Sequence, residues 1–212
     1  MVNMKIDRES LRAGGVEAAA REWLIAKTMA PAIGVVSFAA LTAVGARYAI
    51  HIGPVPYTLQ VFFVLLAGMV LGPKLGAASQ LAYVAAGFSG IPVFSSPPYA
   101  GGGYLLGPTG GYLVGFVAAA WLTGWVVHRW RDARDGDLMV IGYAFAGMLG
   151  LVAIYAFGAS GLAIWMLGGG KGFADAVSAA WKLGIAPFIV VDILKSAAAA
   201  LSCSGVNATR SA

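Results

Sequence analysis

The chain has 212 residues and a formal charge of +5, yet only 11% of its residues are charged and 59% are hydrophobic. Soluble domains average about 25% charged residues, so this balance, with a mean hydropathy of +0.80, excludes an ordinary soluble domain and points to a membrane protein. Nucleic acid is not the implied partner, because the basic residues gather in short stretches between apolar runs, as membrane topology requires.

The first 27 residues are polar and mixed in charge, with no apolar run ending in a cleavage site, so no cleavable signal peptide is expected. Residues 7–27 could form an amphipathic helix on the cytoplasmic surface or a solvated helical tail. Six apolar segments follow, at about residues 29–50, 59–71, 75–88, 108–127, 138–167 and 182–202. A helical span needs about 20 apolar residues. The second and third segments are short and separated by Pro73. The fifth is too long for one span and is expected to emerge near residues 158–161. These runs do not alternate polar and apolar residues, which argues against a β-barrel. The 30 glycines lie mostly inside the apolar runs, where small residues let helices approach closely. No internal repeat is evident, so an inverted-repeat transporter is not supported.

Basic residues orient the spans. Lys5, Arg8, Arg12, Arg21 and Lys27 precede the first, Lys74 separates the second from the third, and Arg129, Arg131 and Arg134 separate the fourth from the fifth. Arg210 follows the sixth, which brings ten of the fourteen Lys and Arg residues to one side. The positive-inside rule then makes both termini cytoplasmic. The expected architecture is an all-α membrane protein of six transmembrane helices. Residues 1–28 form a cytoplasmic N-terminal segment, 29–203 the transmembrane domain and 204–212 a cytoplasmic tail.

Catalytic signals are weak. Gly158-Ala159-Ser160-Gly161 has the G-x-S-G pattern of intramembrane serine proteases, but a serine nucleophile needs a base. The two histidines, His51 and His128, come earlier and near expected helix ends. Close helix packing accounts for the motif. Gly168-Gly169-Gly170-Lys171 is not a P-loop, because no glycine stands five residues before Gly170 and Gly172 follows the lysine. Cys203 is the single cysteine, and no clustered Cys/His metal set occurs. With no means of hydrolysing ATP, uphill transport would draw on a partner or an ion gradient.

The chemistry-bearing stretch is Phe188-Ile189-Val190-Val191-Asp192-Ile193-Leu194-Lys195 in the last apolar run. A charge at the centre of a span costs about 2.5–3.5 kcal/mol on insertion scales. Positions i and i+3 share a helix face, so Asp192 and Lys195 can partly neutralise each other. The pair could be an internal ion pair, an ion relay or a substrate site. An intramembrane ionisable residue favours the last by default. One face then offers an acceptor and a cation, which suits a small amphiphile carrying N–H groups and a carboxylate.

Other groups fall on the same expected external half. Val55-Pro56-Tyr57-Thr58-Leu59-Gln60 opens the second segment, and its proline and polar side chains suggest a broken helix lining a cavity. Thr58 and Gln60 are therefore candidates, although Gln60 could simply cap the helix. The loop at 91–107 contains Ser95 and Ser96 and is long enough to be a lid. Tyr83, Phe94, Tyr104 and Tyr112 could flank an apolar ligand body.

These residues resemble a known family. "PYTLQVFFVLLAGMVLGPKLGAASQLAY", "GIPVF", "GGGYLLGPTGGYLVGF" and the late "DILK" are similar to the BioY biotin transporters, the substrate-binding S components of energy-coupling factor (ECF) systems. The resemblance covers about residues 30–203. It implies an S-component fold in the bacterial cytoplasmic membrane, with a high-affinity biotin site near the external face and no enzymatic activity. Biotin would be the transported ligand, not a cofactor. The implied partners are the lipid bilayer, a transmembrane coupling protein and two ABC-type ATPases, although some family members also work without the ATPases. The family's acid and lysine ligands fall on Asp192 and Lys195, with Asp192 accepting from the ureido N–H groups and Lys195 attracting the valerate carboxylate. Some members carry an asparagine and an arginine around the third helix and its loop. Residues 83–107 contain neither, so Ser95, Ser96 or loop backbone would substitute. Ala39 and Ala43 correspond to alanines that face the coupling protein, or they pack within the bundle. The rival readings are an ion-coupled transporter using Asp192 and an intramembrane hydrolase using Ser160.

Overall fold

A computed structural model describes residues 15–133 and 138–211. Lys5, Arg8, Arg12, Arg134 and the first half of the 7–27 stretch lie outside the described residues. The described residues form seven helices and one isolated β-bridge: α1 (Gly15–Arg47), α2 (Gln60–Phe88), α3 (Gly102–Leu105), α4 (Gly110–Ala133), α5 (Leu138–Gly168), α6 (Phe173–Gly184) and α7 (Ile189–Ser211). Four of them are long and apolar enough to cross a membrane, or five spans if the bent pair α6–α7 counts as one. Large apolar side chains point outward from many of them, including Val36, Val152 and Leu194. A helix that is apolar all round suits a lipid surrounding.

α2 is a hairpin. Gln60 and Tyr83 are 23 residues apart, which along a straight helix would be about 34 Å, yet the Gln60 Nε2 donates to the Tyr83 hydroxyl at 2.8 Å. The reversal lies at Gly72-Pro73. Gly72 has φ +79°, which a Cβ would oppose, and Pro73 has no N–H to continue the helical ladder. The two arms then run back against each other, so close that a Cβ on Gly76 would lie 2.9 Å from the Cα of Gly68. The two short segments read on either side of Pro73 are these arms.

α1 packs on α2, α4 lies between α2 and α5, α6 rests on α5, and α7 touches both α2 and α5. A buried polar clasp joins α1 to the second arm of α2: Gln80 Nε2 donates to the Thr42 hydroxyl at 3.3 Å and to the Ser79 hydroxyl at 3.0 Å. α5 runs unbroken through 158–161 to Gly168, the length of the fifth segment. Its glycines there admit α4: a Cβ on Gly161 would sit 2.7 Å from the Cα of Gly111, and Gly158 packs on the Tyr112 ring. Ser160 is exposed beside them, so the motif serves packing. The sixth segment does not begin at Lys182, which closes α6. The chain breaks over 185–188, where Pro187 forbids a continuous ladder, and α7 starts at Ile189, bent by 50° from α6. α7 runs on to Ser211.

Candidate functional site

The break before α7 creates the site. Asp192 lies in the first turn of α7, just past the break in the bent α6–α7 pair. There the unpaired backbone N–H groups and the positive end of the helix dipole favour a carboxylate. Asp192 is 3% exposed. The Lys195 Nζ donates to its Oδ1 at 2.7 Å, and the Tyr155 hydroxyl donates to its Oδ2 at 2.7 Å from α5. A buried charge is tolerable when paired and hydrogen-bonded, and this one is both. A carboxylate offers roughly four lone-pair positions. Two are taken, so each oxygen can still accept once more.

The pair opens into a small cavity of about 50 Å³. Thr58, Gln60 and Tyr83 line it on the α2 side, and Ser95, Tyr104 and Tyr112 line it beneath the loops. Their hydrogen bonds fix their positions. The Thr58 hydroxyl donates to Gln60 Oε1 at 3.1 Å, and the Tyr83 hydroxyl donates to the Val93 carbonyl at 3.2 Å. The Ser95 and Tyr104 hydroxyls are 3.1 Å apart, and the Tyr112 hydroxyl donates to the Gly184 carbonyl at 2.7 Å, joining α4 to α6. Gln60 is thus a wall residue and not merely a cap. Among the described residues no buried side-chain polar atom lacks a hydrogen-bond partner.

Two sequence candidates lie off the cavity. Phe94 is fully buried behind it, stacked on Tyr104 at 4.4 Å and edge-on to Tyr83 at 5.7 Å. Its role is to hold those two tyrosines. Ser96 instead meets the His51 Nε2 at 3.1 Å, and the same nitrogen lies 3.1 Å from the Ser95 carbonyl. His51 thereby joins the α1–α2 connection to the long loop. That loop is ordered by its own hydrogen bonds: the Phe94 N–H donates to the Tyr99 carbonyl at 2.8 Å and the Gly101 N–H to the Gly87 carbonyl at 2.7 Å. Ala39 and Ala43 are partly buried and pack on the core.

Sequence reasoning missed Tyr155, Phe116, Ile154 and Phe188 on the cavity wall. Tyr155 stands 37 positions from Asp192 in a uniformly apolar run. Its only signal was a hydroxyl in the fifth segment, shared there with Tyr143 and Ser160, and no spacing rule ties it to α7. Its role is testable. Tyr155→Phe removes one charge-assisted hydrogen bond but keeps the ring, and is expected to weaken ligand binding about tenfold. A calorimetric titration of both proteins would show this, and unchanged affinity would make the hydroxyl dispensable.

Residues 18–212 match the family model described as BioY family. The chain is 44% identical over 165 residues to a probable biotin transporter BioY of Pyrococcus horikoshii, covering 77% of this chain and 88% of that protein. It is 38% identical over 165 residues to the biotin transporter BioY of Thermotoga maritima, with the same 77% and 88% shares. Against the biotin transporter BioY of Rhizobium etli the identity is 34% over 167 residues, covering 77% and 84%. Among solved structures, the S-component for biotin from an ECF-type ABC transporter superposes with a TM-score of 0.72 at 22% identity, over 85% of this chain and 92% of that one. At that identity the likeness is one of fold.

Proposed function

The chain belongs to the BioY family, and from that premise we propose that it binds biotin at the Asp192 cavity and carries it across the membrane as the S component of an ECF transporter. It is a multi-pass membrane transporter and not an enzyme, and biotin is its substrate. The observation that carries the reading is the buried Asp192, held by Lys195 and Tyr155 at the wall of a tyrosine-lined cavity. Its two remaining acceptor positions match the two N–H donors of a ureido ring. Tyr83, Tyr104, Tyr112 and Phe116 offer apolar faces for the thioether ring, while Thr58, Gln60 and Ser95 stand where polar contacts would fix its orientation.

The α2 hairpin supports six crossings. Its two arms make two, α1, α4 and α5 make three, and the bent α6–α7 pair makes the last. With the basic residues on one side, both termini lie in the cytoplasm and the cavity opens outward. Energy comes from an ECF partner module, which we take to be a coupling protein and two ABC-type ATPases in the cytoplasmic membrane. Ala39 and Ala43 already pack on the core, so the coupling protein would approach α1 on its exposed side, at Val36, Ala40 and Val44, where the small Ala40 permits close contact. α1 suits such a contact because it packs on α2 alone among the described helices.

The test is direct titration of biotin into the detergent-purified protein. Saturable binding of one biotin per chain supports the reading. Absence of binding to folded protein would overturn it and favour ion-coupled transport of another solute through Asp192.

A further inference from the structure

The Asp192–Lys195 pair poses a distance problem for an amphiphilic ligand. The cation and the acceptor are 2.7 Å apart. The ureido ring and the carboxylate of biotin are separated by a thioether ring and a four-carbon chain, on the order of 10 Å from standard bond lengths. The pair as it stands cannot hold both poles at once. One pole has to leave Asp192, and the lysine is the movable group, with a flexible four-carbon stem.

A second hollow lies where such a lysine would turn. It is a groove of about 320 Å³ between the α1–α2 connection and α7, and Thr58 and Lys195 line both it and the Asp192 cavity. Its other walls are almost entirely apolar: Ile50, Ile52 and Leu59 on one side and Val191 on the other. The partition between the two spaces is thin. It consists of Thr58, Lys195 and Tyr57, whose ring packs on Phe188 at 4.3 Å and whose hydroxyl makes a long 3.4 Å bond to the Pro187 carbonyl. A short antiparallel bridge, Ile50 to Tyr57, holds the outer wall in place.

We infer that this apolar side groove is a subsite for the acyl tail of the ligand, with Lys195 at its inner end, and that the protein therefore also accepts biotin derivatives whose acid end is extended through an amide by a linear apolar chain. The inference rests on the biotin reading above. Its occupant is fixed by continuity, because the groove begins at the same lysine that borders the Asp192 cavity. Chain length beyond the carboxyl is then limited by the groove and not by the closed end of a pocket. Apolar lining favours methylene chains at about 0.8 kcal/mol per buried CH₂, and Lys195 can donate to an amide carbonyl as it would to a carboxylate.

The test titrates the full-length protein in detergent with biotin and with the N-hexyl amide of biotin. Wild type is expected to bind the amide within about 30-fold of biotin. Val191→Trp fills the groove from α7 without touching the Asp192 cavity. It is expected to weaken the amide about 100-fold while leaving biotin within about threefold. Leu59→Trp approaches from the opposite wall and should do the same. The biotin titration of each variant reports that it has folded. An amide that wild type rejects while binding biotin would overturn the inference and leave the groove to lipid. An amide indifferent to both tryptophans, or loss of both ligands in both variants, would overturn it too. Failure of wild type to bind biotin at all would remove the site reading itself, a different and recognisable result.

Discussion

Asp192→Asn is expected to weaken biotin binding by roughly 100- to 1,000-fold, with a smaller effect on thermal stability, because the freed lysine borders the side groove and can turn its ammonium outward on a flexible stem. The carboxylate is all acceptor, whereas asparagine turns an NH₂ donor toward one of the two ligand N–H groups. One of the two ligand hydrogen bonds becomes a donor facing a donor, and the other loses its charge assistance. Each such bond is worth about 1.5–3 kcal/mol in a buried setting, so a loss of about 3–4 kcal/mol, or the stated fold-change, follows. The substitution keeps the shape of the side chain, its place in the first turn of α7 and an acceptor for the Tyr155 hydroxyl. Calorimetry on wild type and variant, with melting temperatures measured alongside, decides the point. Affinity preserved in the variant would reduce Asp192 to a packing or coupling residue.

Lys195→Met should act the other way round, on stability first. Asp192 is nearly buried and Lys195 supplies its only ion pair among the described residues. Removing one partner of a buried pair leaves an uncompensated charge, which costs about 3–5 kcal/mol. For a chain of this length a melting-temperature drop of roughly 6–20 °C is expected. Methionine fills the volume of the lysine stem, so the loss is electrostatic and not a cavity effect. The double variant Asp192→Asn, Lys195→Met removes the orphaned charge and should recover most of that stability. It should not recover biotin binding. Recovery of both would mean that the pair only packs the bundle; recovery of neither would mean that the methionine itself disturbs α7.

These two results together separate the roles that the sequence left open for the pair. An ion pair kept for packing is replaceable by neutral side chains of similar volume, often at no net cost. A ligand site is not, because its remaining lone pairs and donors are the reason for keeping charges there. The geometry favours the second role, since each carboxylate oxygen is used once and each can be used again.

What the sequence determined by itself was everything that depends on composition and on short-range pattern. Low charge and long apolar runs made the chain a membrane protein, because every backbone group in lipid must be satisfied within helices. Pro73 marked the turn between the two arms of α2, since proline breaks a ladder wherever it falls. The pair Asp192 and Lys195 was legible because an i, i+3 spacing is local and its cost in lipid is conspicuous. Thr58, Gln60, Tyr83, Tyr104 and Tyr112 were legible as polar or aromatic residues at one expected level of the membrane. Tertiary structure alone decided the rest. Gly158 and Gly161 make room for α4, a role that depends on which helix lies opposite. The break at 185–188 makes Asp192 part of a helix start within the bent α6–α7 pair, where the positive end of the helix dipole favours a carboxylate. Tyr155 and the side groove were invisible for one physical reason: both are contacts between segments far apart in sequence, and periodicity carries no information about which distant surfaces meet.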